Sequence, residues 1–145
     1  MTLLTKKPIV VPWDYSEMSK NALETSIELA ASNSQIKVVH VIPYPPSMEP
    51  GVVWGSVDEM GLSENATKSF RREFPEDKYE DIEFKVMFGD PGSQVAAFAK
   101  DLDAGLVVIS SHGRTGLAHF FLGSVAEKVT RLAPCPVLVL RKPRP

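Results

Sequence analysis

The sequence predicts a single Rossmann-like α/β domain of three layers, in which helices cover both faces of a parallel sheet of five strands. Short apolar segments of strand length alternate along the chain with longer segments in which apolar residues recur at helical spacing. Some of the short segments are unbroken apolar runs, which are typical of strands covered on both faces. The 145 residues are enough for one compact domain, expected to span residues 1–145, and not for two.

Five segments have the pattern of β-strands, because they are short, apolar and rich in β-branched or aromatic residues. They are Ile9 to Val11, Ile36 to Ile42, Ile82 to Phe88, Leu106 to Ile109 and Val137 to Leu140. A helical pattern separates each segment from the next. The expected order is therefore β-α-β-α-β-α-β-α-β, which favours parallel pairing with right-handed crossovers.

Four helices are predicted between the strands. The first is expected to follow the N-cap residue Ser16 and to end before the polar stop at Ser32 to Ser34. The others are expected from about Val57 to Phe74, from Ser93 to Lys100 after a turn at Gly89 to Gly92, and from near Gly123 and Ser124. The predicted inward residues are, in helix order, Ala22, Leu23, Ile27, Ala30 and Ala31; Leu62, Ala66 and Phe70; Val95, Ala96 and Phe98; and Val125, Val129 and Leu132.

Charge and composition argue against several classes of function. Sixteen basic and eighteen acidic residues give a formal charge of −2, whereas a nucleic-acid partner normally requires a basic face. No apolar segment reaches the roughly 20 residues of a membrane span, and the apolar run at the N-terminus is too short for a signal peptide. We therefore expect a cytoplasmic protein without a membrane partner. Cys135 is the only cysteine and is expected to be a buried, unreactive thiol.

The segment from Ser110 to Ser124 carries the clearest chemical signal. It is a glycine-punctuated loop between a predicted strand and a predicted helix, and the first N–H groups of a helix have no intrahelical partner and attract anions. Gly113 and Gly123 allow backbone N–H groups to approach a phosphate closely. There is no P-loop sequence, so a phosphate here depends on backbone amides, Ser124 and Arg114. Alternatively, the glycines only form turns and Ser124 is only an N-cap.

The segment from Pro43 to Gly55 contains four prolines and two glycines and is predicted to be a loop. Its length is typical of lids and partner contacts. Met48 and Trp54 would then cover a ligand or pack on a partner chain. A surface loop with an incidental tryptophan is the alternative.

These motifs, in their order along the chain, resemble the universal stress protein family. The resemblance rests on IVVPWDYS, KVVHVI, the Gly89-Asp90-Pro91 turn, SHGRTGLAHFFLGS and APCPVLVLR. The nucleotide-binding branch of the family carries Gly-x2-Gly-x9-Gly-Ser/Thr. Gly113 and Gly123-Ser124 match its second half, and Ser110 occupies the position of the first glycine. Serine is small and donates hydrogen bonds to phosphate, so we expect binding to survive this departure.

The resemblance implies a sheet of order 3-2-1-4-5, in which a ligand binds where the strand order reverses. It implies ATP, ADP or AMP as ligand, with Mg²⁺ or Mn²⁺. Asp14 would face the ribose hydroxyls or the metal, and the Val41 backbone would face adenine. The remaining expected binding residues are Pro12, Trp13, Ile109, Ser110, Gly113, Arg114, Gly123, Ser124 and Val125.

Several of these residues have a second interpretation. Asp14 would otherwise accept hydrogen bonds from backbone N–H groups in the turn before the first helix. The Trp13 indole either stacks near the nucleotide or partly blocks it. The histidines lack metal-ligand spacing, so His40 is expected in the core and His112 and His119 in a loop or on the surface. Lys128 is expected to be solvated.

The function expected from these features is that of an adenine-nucleotide-binding stress-response protein, a sensor or regulator without catalytic residues. One alternative is a dimeric interaction scaffold that binds no nucleotide, which Ser110 and Trp13 favour. Another is a slow ATP hydrolase or phosphoryl-transfer enzyme. The resemblance also implies a homodimer through the last strand, Val137, Leu138, Val139 and Leu140, because an uncovered apolar sheet edge is an association site.

Overall fold

The computed structural model describes residues 6–44, 59–112 and 122–141. Strands and helices alternate through these residues, as predicted. The elements are β1 (Ile9–Pro12), α1 (Glu17–Leu29), β2 (Ile36–Ile42), α2 (Glu59–Glu73), β3 (Glu83–Phe88), α3 (Pro91–Asp101), β4 (Leu106–Ser110), α4 (Ser124–Leu132) and β5 (Val137–Leu140).

The strands form one parallel sheet of order β3-β2-β1-β4-β5, which confirms the predicted fold class and strand order. The pairing of the two central strands is short. Ile9 pairs with Leu106 and Val10 with Val107, and the register continues no further. Pro12, at the end of β1, has no N–H to donate to a neighbouring strand. The sheet is therefore open between the carboxyl ends of β1 and β4, where the strand order reverses.

Two apolar clusters lie on opposite faces of the sheet. Successive side chains of a strand point to opposite faces, so Val11 joins the cluster beneath α1 and α2, and Val10 joins the cluster beneath α3 and α4. Leu23 and Phe70 bring the first pair of helices onto the first cluster, and Val129 helps bring α4 onto the second. These clusters confirm the three-layer arrangement. We refer to the two sides as the α1/α2 face and the α3/α4 face.

The first helix is shorter than its apolar stripe suggests. The backbone of Ala30 is extended and closes α1 as its C-cap, and Ala31 is exposed. The following residues form a separate 3₁₀ turn, which Ser32 begins with a capping box. Ser26 is fully buried instead, and its hydroxyl donates a hydrogen bond to the Ala22 carbonyl at 2.8 Å. Helical spacing identified the inward face, but the capping residues determined where the helix ends.

Two predicted core residues of the other helices are exposed. Leu62 in α2 is 36% exposed and Leu132 in α4 is 46% exposed. Phe70 is the buried residue of α2, and Val129 is one of the two buried residues of α4. Leu62 lies in the first turn of α2, and Leu132 is the last residue of α4.

The third helix begins two residues before its predicted start. Asp90 is its N-cap, and its carboxylate accepts a hydrogen bond from the Ser93 amide at 3.0 Å. Pro91 occupies the first helical position, where its fixed φ and missing N–H are compatible with a helix. The predicted turn at these residues is therefore the first turn of α3.

Two statements from composition can be compared with the structure. Cys135 is only partly buried, contrary to expectation, although this burial raises the pKa of its thiol and so lowers its reactivity at neutral pH. No helix within the described ranges is long and apolar enough to cross a membrane. Cytoplasmic localisation stays a prediction.

Candidate functional site

A cleft of about 350 Å³ lies at the carboxyl ends of β1 and β4. The sequence-predicted residues that line it are Pro12, Trp13, Asp14, Val41, Ile109, Ser110, Gly123, Ser124 and Val125. Further lining residues are Ser19, Val39, Pro91, Val95, Ser111 and Ala126. Gly113 and Arg114 lie outside the described residues, as do Met48, Trp54 and His119. The structure thus brings the end of β1 and the start of α4 together around one cavity.

One side of the cleft is apolar. Its side chains are Val39, Val41, Val95, Ile109 and Ala126, which come from β2, α3, β4 and α4 and belong to the cluster on the α3/α4 face. We call this set the valine wall. Within this wall, the sequence-predicted site lacked Val39, Val95 and Ala126. The two-residue period of β2 pairs Val39 with Val41 on one face and was sufficient to find the former. The packing of α3 was needed for Val95.

The other side of the cleft is the start of α4. Gly123 is the N-cap, so Ser124 is the first residue of the helix and not its cap. The Gly123 amide donates to the Ser111 carbonyl at 2.7 Å. A Cβ on Gly123 would lie 2.9 Å from that same oxygen, closer than side chains approach a backbone oxygen. Glycine is therefore required here by a close backbone contact.

The start of α4 differs from two other helix starts at this edge. The Ser16 hydroxyl accepts from the Ser19 amide at 3.1 Å and caps α1, and Asp90 caps α3. Gly123 has no side chain with which to cap α4. Within the described part of the chain, no side chain accepts a hydrogen bond from the amides of residues 124–126. These donors and the positive end of the helix dipole border the cleft.

Asp14 lies at the rim, in the turn between β1 and α1. Its Oδ1 accepts hydrogen bonds from the amide of Ser16, at 3.0 Å, and from the hydroxyl of the same residue. The turn-forming role considered from sequence is therefore observed. Oδ2 makes no hydrogen bond within the described ranges. Asp14 therefore both holds the turn and lines the cleft.

The Trp13 indole is 3% exposed and belongs to the cluster on the α1/α2 face. It packs edge-on against Phe70 and Phe74, with ring centroids 5.3 and 5.5 Å away. The valine wall lies on the opposite face of the sheet. The indole therefore packs in the core on the side of the sheet away from the valine wall, and its expected effect on a nucleotide stays a prediction.

The two serines at the end of β4, Ser110 and Ser111, are engaged with their own loop. The Ser110 hydroxyl donates to the His112 carbonyl at 2.9 Å, and Ser111 Oγ lies 3.0 Å from His112 Nδ1. The Ser110 hydroxyl is thus engaged within its own loop, and its expected role as a donor to a phosphate stays a prediction. No group of three His, Cys, Asp or Glu side chains within the described residues could hold a metal ion.

Lys128 is not simply solvated, contrary to expectation. Its Nζ lies 3.0 Å from Asp90 Oδ2, and its aliphatic part lies against Gly92, where a Cβ would be 2.7 Å from it. The hydrogen bond from Lys128, with a further one from Ser93, lowers the pKa of Asp90 to about 2. This ion pair joins the start of α3 to α4, two helices that border the cleft.

Comparison with known proteins identifies the family. A model of the universal stress protein family matches residues 6–141. The chain belongs to the universal stress protein family. This confirms the resemblance found in the sequence. Universal stress protein MJ0531 from Methanocaldococcus jannaschii is 31% identical over 143 residues, with 95% of this chain and 84% of that protein covered.

Solved structures of universal stress proteins share the fold. UspA from Lactobacillus plantarum superimposes with a TM-score of 0.71 at 17% identity, covering 93% of this chain and 97% of that one. A universal stress protein in complex with cAMP superimposes with a TM-score of 0.59 at 24% identity, covering 92% of this chain and 95% of that one. At these identities the likeness concerns the fold.

Proposed function

We propose that this universal stress protein binds an adenine nucleotide, ATP or ADP, in the cleft between β1 and β4 and acts as a sensor or regulator in a stress response. The observation that carries the proposal is the pairing of the valine wall with the uncapped start of α4 across one cavity. An apolar wall suits a flat base, and helix amides suit phosphates. The volume of about 350 Å³ falls in the usual range for small-molecule sites.

The fold comparison supports the ligand class. A protein with the same fold has been solved in complex with cAMP, which is an adenine nucleotide. Adenine would lie against Val39 and Val41, and the phosphates would accept hydrogen bonds from the amides of Ser124 and Val125. The ribose would lie between them, near the rim residue Asp14.

A divalent cation fits the same proposal. Mg²⁺ and Mn²⁺ prefer oxygen ligands, and Mg²⁺ commonly binds through one or two carboxylates together with substrate phosphates. Asp14 Oδ2 is the carboxylate oxygen at the rim that the turn does not use. The residues described here hold no ready-made cluster of metal ligands. We therefore propose that the cation arrives with the nucleotide and that Asp14 supplies one ligand.

We further propose that the protein is not a dedicated enzyme. Among the described residues that line the cleft, Asp14 is the sole ionisable side chain, and its Oδ1 is engaged in the turn. Phosphoryl transfer needs groups that orient the nucleophile and stabilise charge in the transition state. Backbone amides that hold the ground state equally well increase affinity without increasing the rate.

The dimeric scaffold is the second candidate. β5 lies at an edge of the sheet, and Leu138, at its centre, is 37% exposed. An apolar edge strand is an association site. We propose that two copies pair there. Dimerisation is compatible with nucleotide binding, so the scaffold becomes the preferred function only if the cleft binds no nucleotide.

Native mass spectrometry and calorimetry distinguish these candidates. The purified protein is first analysed for a retained mass equal to that of a nucleotide. Stripped protein is then titrated with ATP, ADP, cAMP and, as a control, GTP, each with Mg²⁺ and with EDTA. The proposal predicts measurable binding of an adenine nucleotide that Mg²⁺ strengthens. No retained nucleotide and no heat at millimolar concentrations would favour the scaffold.

A further inference from the structure

The turn that carries Asp14, residues 13–16, is held in an uncommon conformation. Tyr15 has a φ of 65°, in the left-handed region that bulky residues rarely adopt. A non-glycine residue remains there only when the surrounding structure holds it, and such residues are concentrated at functional sites. The contacts that hold this turn therefore bear on how the adjacent cleft works.

The first of these contacts comes from β2. His40 Nδ1 lies 2.7 Å from the carbonyl oxygen of Trp13, so its N–H donates to the first residue of the turn. His40 stands between Val39 and Val41, which both line the cleft. Because side chains alternate along a strand, one face of β2 forms the valine wall and the other holds the turn.

The second contact comes from α2. The Tyr15 hydroxyl donates to the carbonyl oxygen of Ala66 at 2.8 Å. The Tyr15 ring packs edge-on against His40 and Trp13, with centroids 5.1 and 5.8 Å away. Burial raises the pKa of Tyr15, and the nearby Glu73 raises it further, so the hydroxyl keeps its proton at neutral pH.

These contacts reach Asp14 through the backbone. Its two neighbours are fixed, Trp13 by His40 and Tyr15 by Ala66, and its own Oδ1 is fixed by Ser16. The side chains of His40 and Tyr15 are absent from the lining of the cleft. Any effect they have on a ligand must therefore pass through neighbouring residues that line the cleft, and Asp14 is the one with a charged side chain.

We propose that His40 and Tyr15 are positioning residues for the nucleotide site. Their hydrogen bonds to the Trp13 and Ala66 carbonyls hold residues 13–16 so that Asp14 reaches the cation that accompanies the nucleotide. This inference rests on the proposed function. It adds that the affinity for a metal nucleotide depends on two side chains on the α1/α2 face, and that the position of α2 influences the cleft.

The test compares Kd values for ATP with Mg²⁺ and with EDTA in four variants. His40→Ala removes the donor, and His40→Asn restores an N–H donor near the position of Nδ1. Tyr15→Phe removes only the hydroxyl. Phe84→Leu is the control for lost packing, because Phe84 stacks on Phe70 at 4.5 Å in the same cluster and is not among the contacts of the turn.

We expect His40→Ala and Tyr15→Phe to weaken Mg-ATP binding at least fivefold, to leave binding in EDTA within twofold, and to accelerate hydrogen exchange at the Ser16 amide without nucleotide. His40→Asn should recover most of the affinity, and Phe84→Leu should lower Tm without changing the Kd. Three results would overturn this inference without affecting the proposed function. The first is an equal loss of ATP affinity in EDTA, and the second is an equal loss of affinity in Phe84→Leu. The third is an unchanged Kd in both Tyr15→Phe and a folded His40→Ala. No ATP binding by the wild type would instead contradict the proposed function.

Discussion

The carbonyl oxygen of Ser111 accepts a hydrogen bond from the amide of Gly123 at 2.7 Å, and a Cβ on Gly123 would lie 2.9 Å from the same atom. The segment that leaves β4 therefore contacts the residue that begins α4, although eleven residues separate them in the sequence. This contact sets where the first amides of α4 lie relative to β4. It also makes the glycine a structural requirement, which affects how substitutions there are interpreted.

Gly123→Ala should reduce both stability and nucleotide affinity. The added methyl group forces Ser111 and the start of α4 apart, and overpacking of this kind typically costs about 1–3 kcal/mol. Thermal unfolding and calorimetry measure the two effects. Larger residues at this position, including aspartate, cannot then separate electrostatic from steric effects. A variant with unchanged Tm and unchanged Kd would show that the contact is unimportant.

The ion pair between Asp90 and Lys128 predicts a pH dependence of stability. Its partners hold the pKa of Asp90 at about 2, below the ordinary value of 3.8. The stabilisation is therefore fully present above about pH 4 and is lost as the pH falls through about 2. Asp90→Asn keeps an N-cap acceptor but removes the charge. As the pH falls from about 4 to about 2, the free energy of unfolding of Asp90→Asn should therefore decrease less than that of the wild type.

The contribution of this ion pair to stability is expected to be small. Its side chains are 36% and 52% exposed, and exposed pairs typically contribute about 0.2–1 kcal/mol. A double-mutant cycle with Asp90→Asn and Lys128→Met, followed by urea unfolding at pH 7, measures the coupling. A coupling energy of zero would assign the low pKa of Asp90 to the helix cap alone.

Leu138→Lys should produce a monomer. Leu138 is exposed at the edge of the sheet, so a lysine at this position would be solvated in the monomer. If two β5 strands pair, the two lysines would bring like charges together and oppose dimerisation. Light scattering at micromolar concentration gives the mass of both proteins. Leu132→Lys is a matched control, because this residue is exposed on α4 and not on β5. A monomeric wild type, or a dimeric Leu138→Lys, would contradict pairing through this strand.

ATP turnover is expected to be far slower than the rate of about 1 s⁻¹ at the lower end of typical enzymes. The described residues lining the cleft place no base beside a phosphate at the start of α4. Release of inorganic phosphate under single-turnover conditions measures the rate, and His112→Ala tests the histidine closest in sequence to β4. Rapid turnover that His112→Ala abolishes, with nucleotide binding retained, would establish an enzyme.

Much of the fold was predictable from local pattern. β2 and β5 have the predicted bounds because both are rich in apolar residues that favour strands. The start of α3 was missed because Pro91 and Gly92 are typical of turns. In the structure, proline occupies the first helical position and Gly92 accommodates the side chain of Lys128, which is a contact between helices that are distant in sequence.

Only part of the site was predictable, because some of its contacts join elements that are distant in sequence. Motifs located the two segments that meet at the cleft, because parallel strands end at the same edge of a sheet. The Trp13 ring packs against Phe70 and the nearby Phe74 from beyond the sheet, and the Trp13 carbonyl accepts a hydrogen bond from His40 of β2. No local sequence pattern contains these tertiary contacts, so only the structure could reveal them.

The central claim is that backbone amides at the start of α4 bind the phosphates. Ser124→Pro tests it, because proline is favoured at the first helical position and removes a single N–H. The extended backbone of Gly123, with φ −59° and ψ 156°, is compatible with a following proline. Ser124→Ala is the matched control, since it removes the hydroxyl and keeps the amide.

Calorimetric titration of Mg-ATP into the wild type and these two variants is the most direct measurement, with Tm as the check on folding. A hydrogen bond to a charged group contributes about 1.5–3 kcal/mol, so Ser124→Pro should bind roughly ten- to a hundredfold more weakly. Ser124→Ala should remain within about threefold of the wild type, because a neutral hydroxyl typically contributes less. A folded Ser124→Pro that binds Mg-ATP as tightly as the wild type would contradict the account.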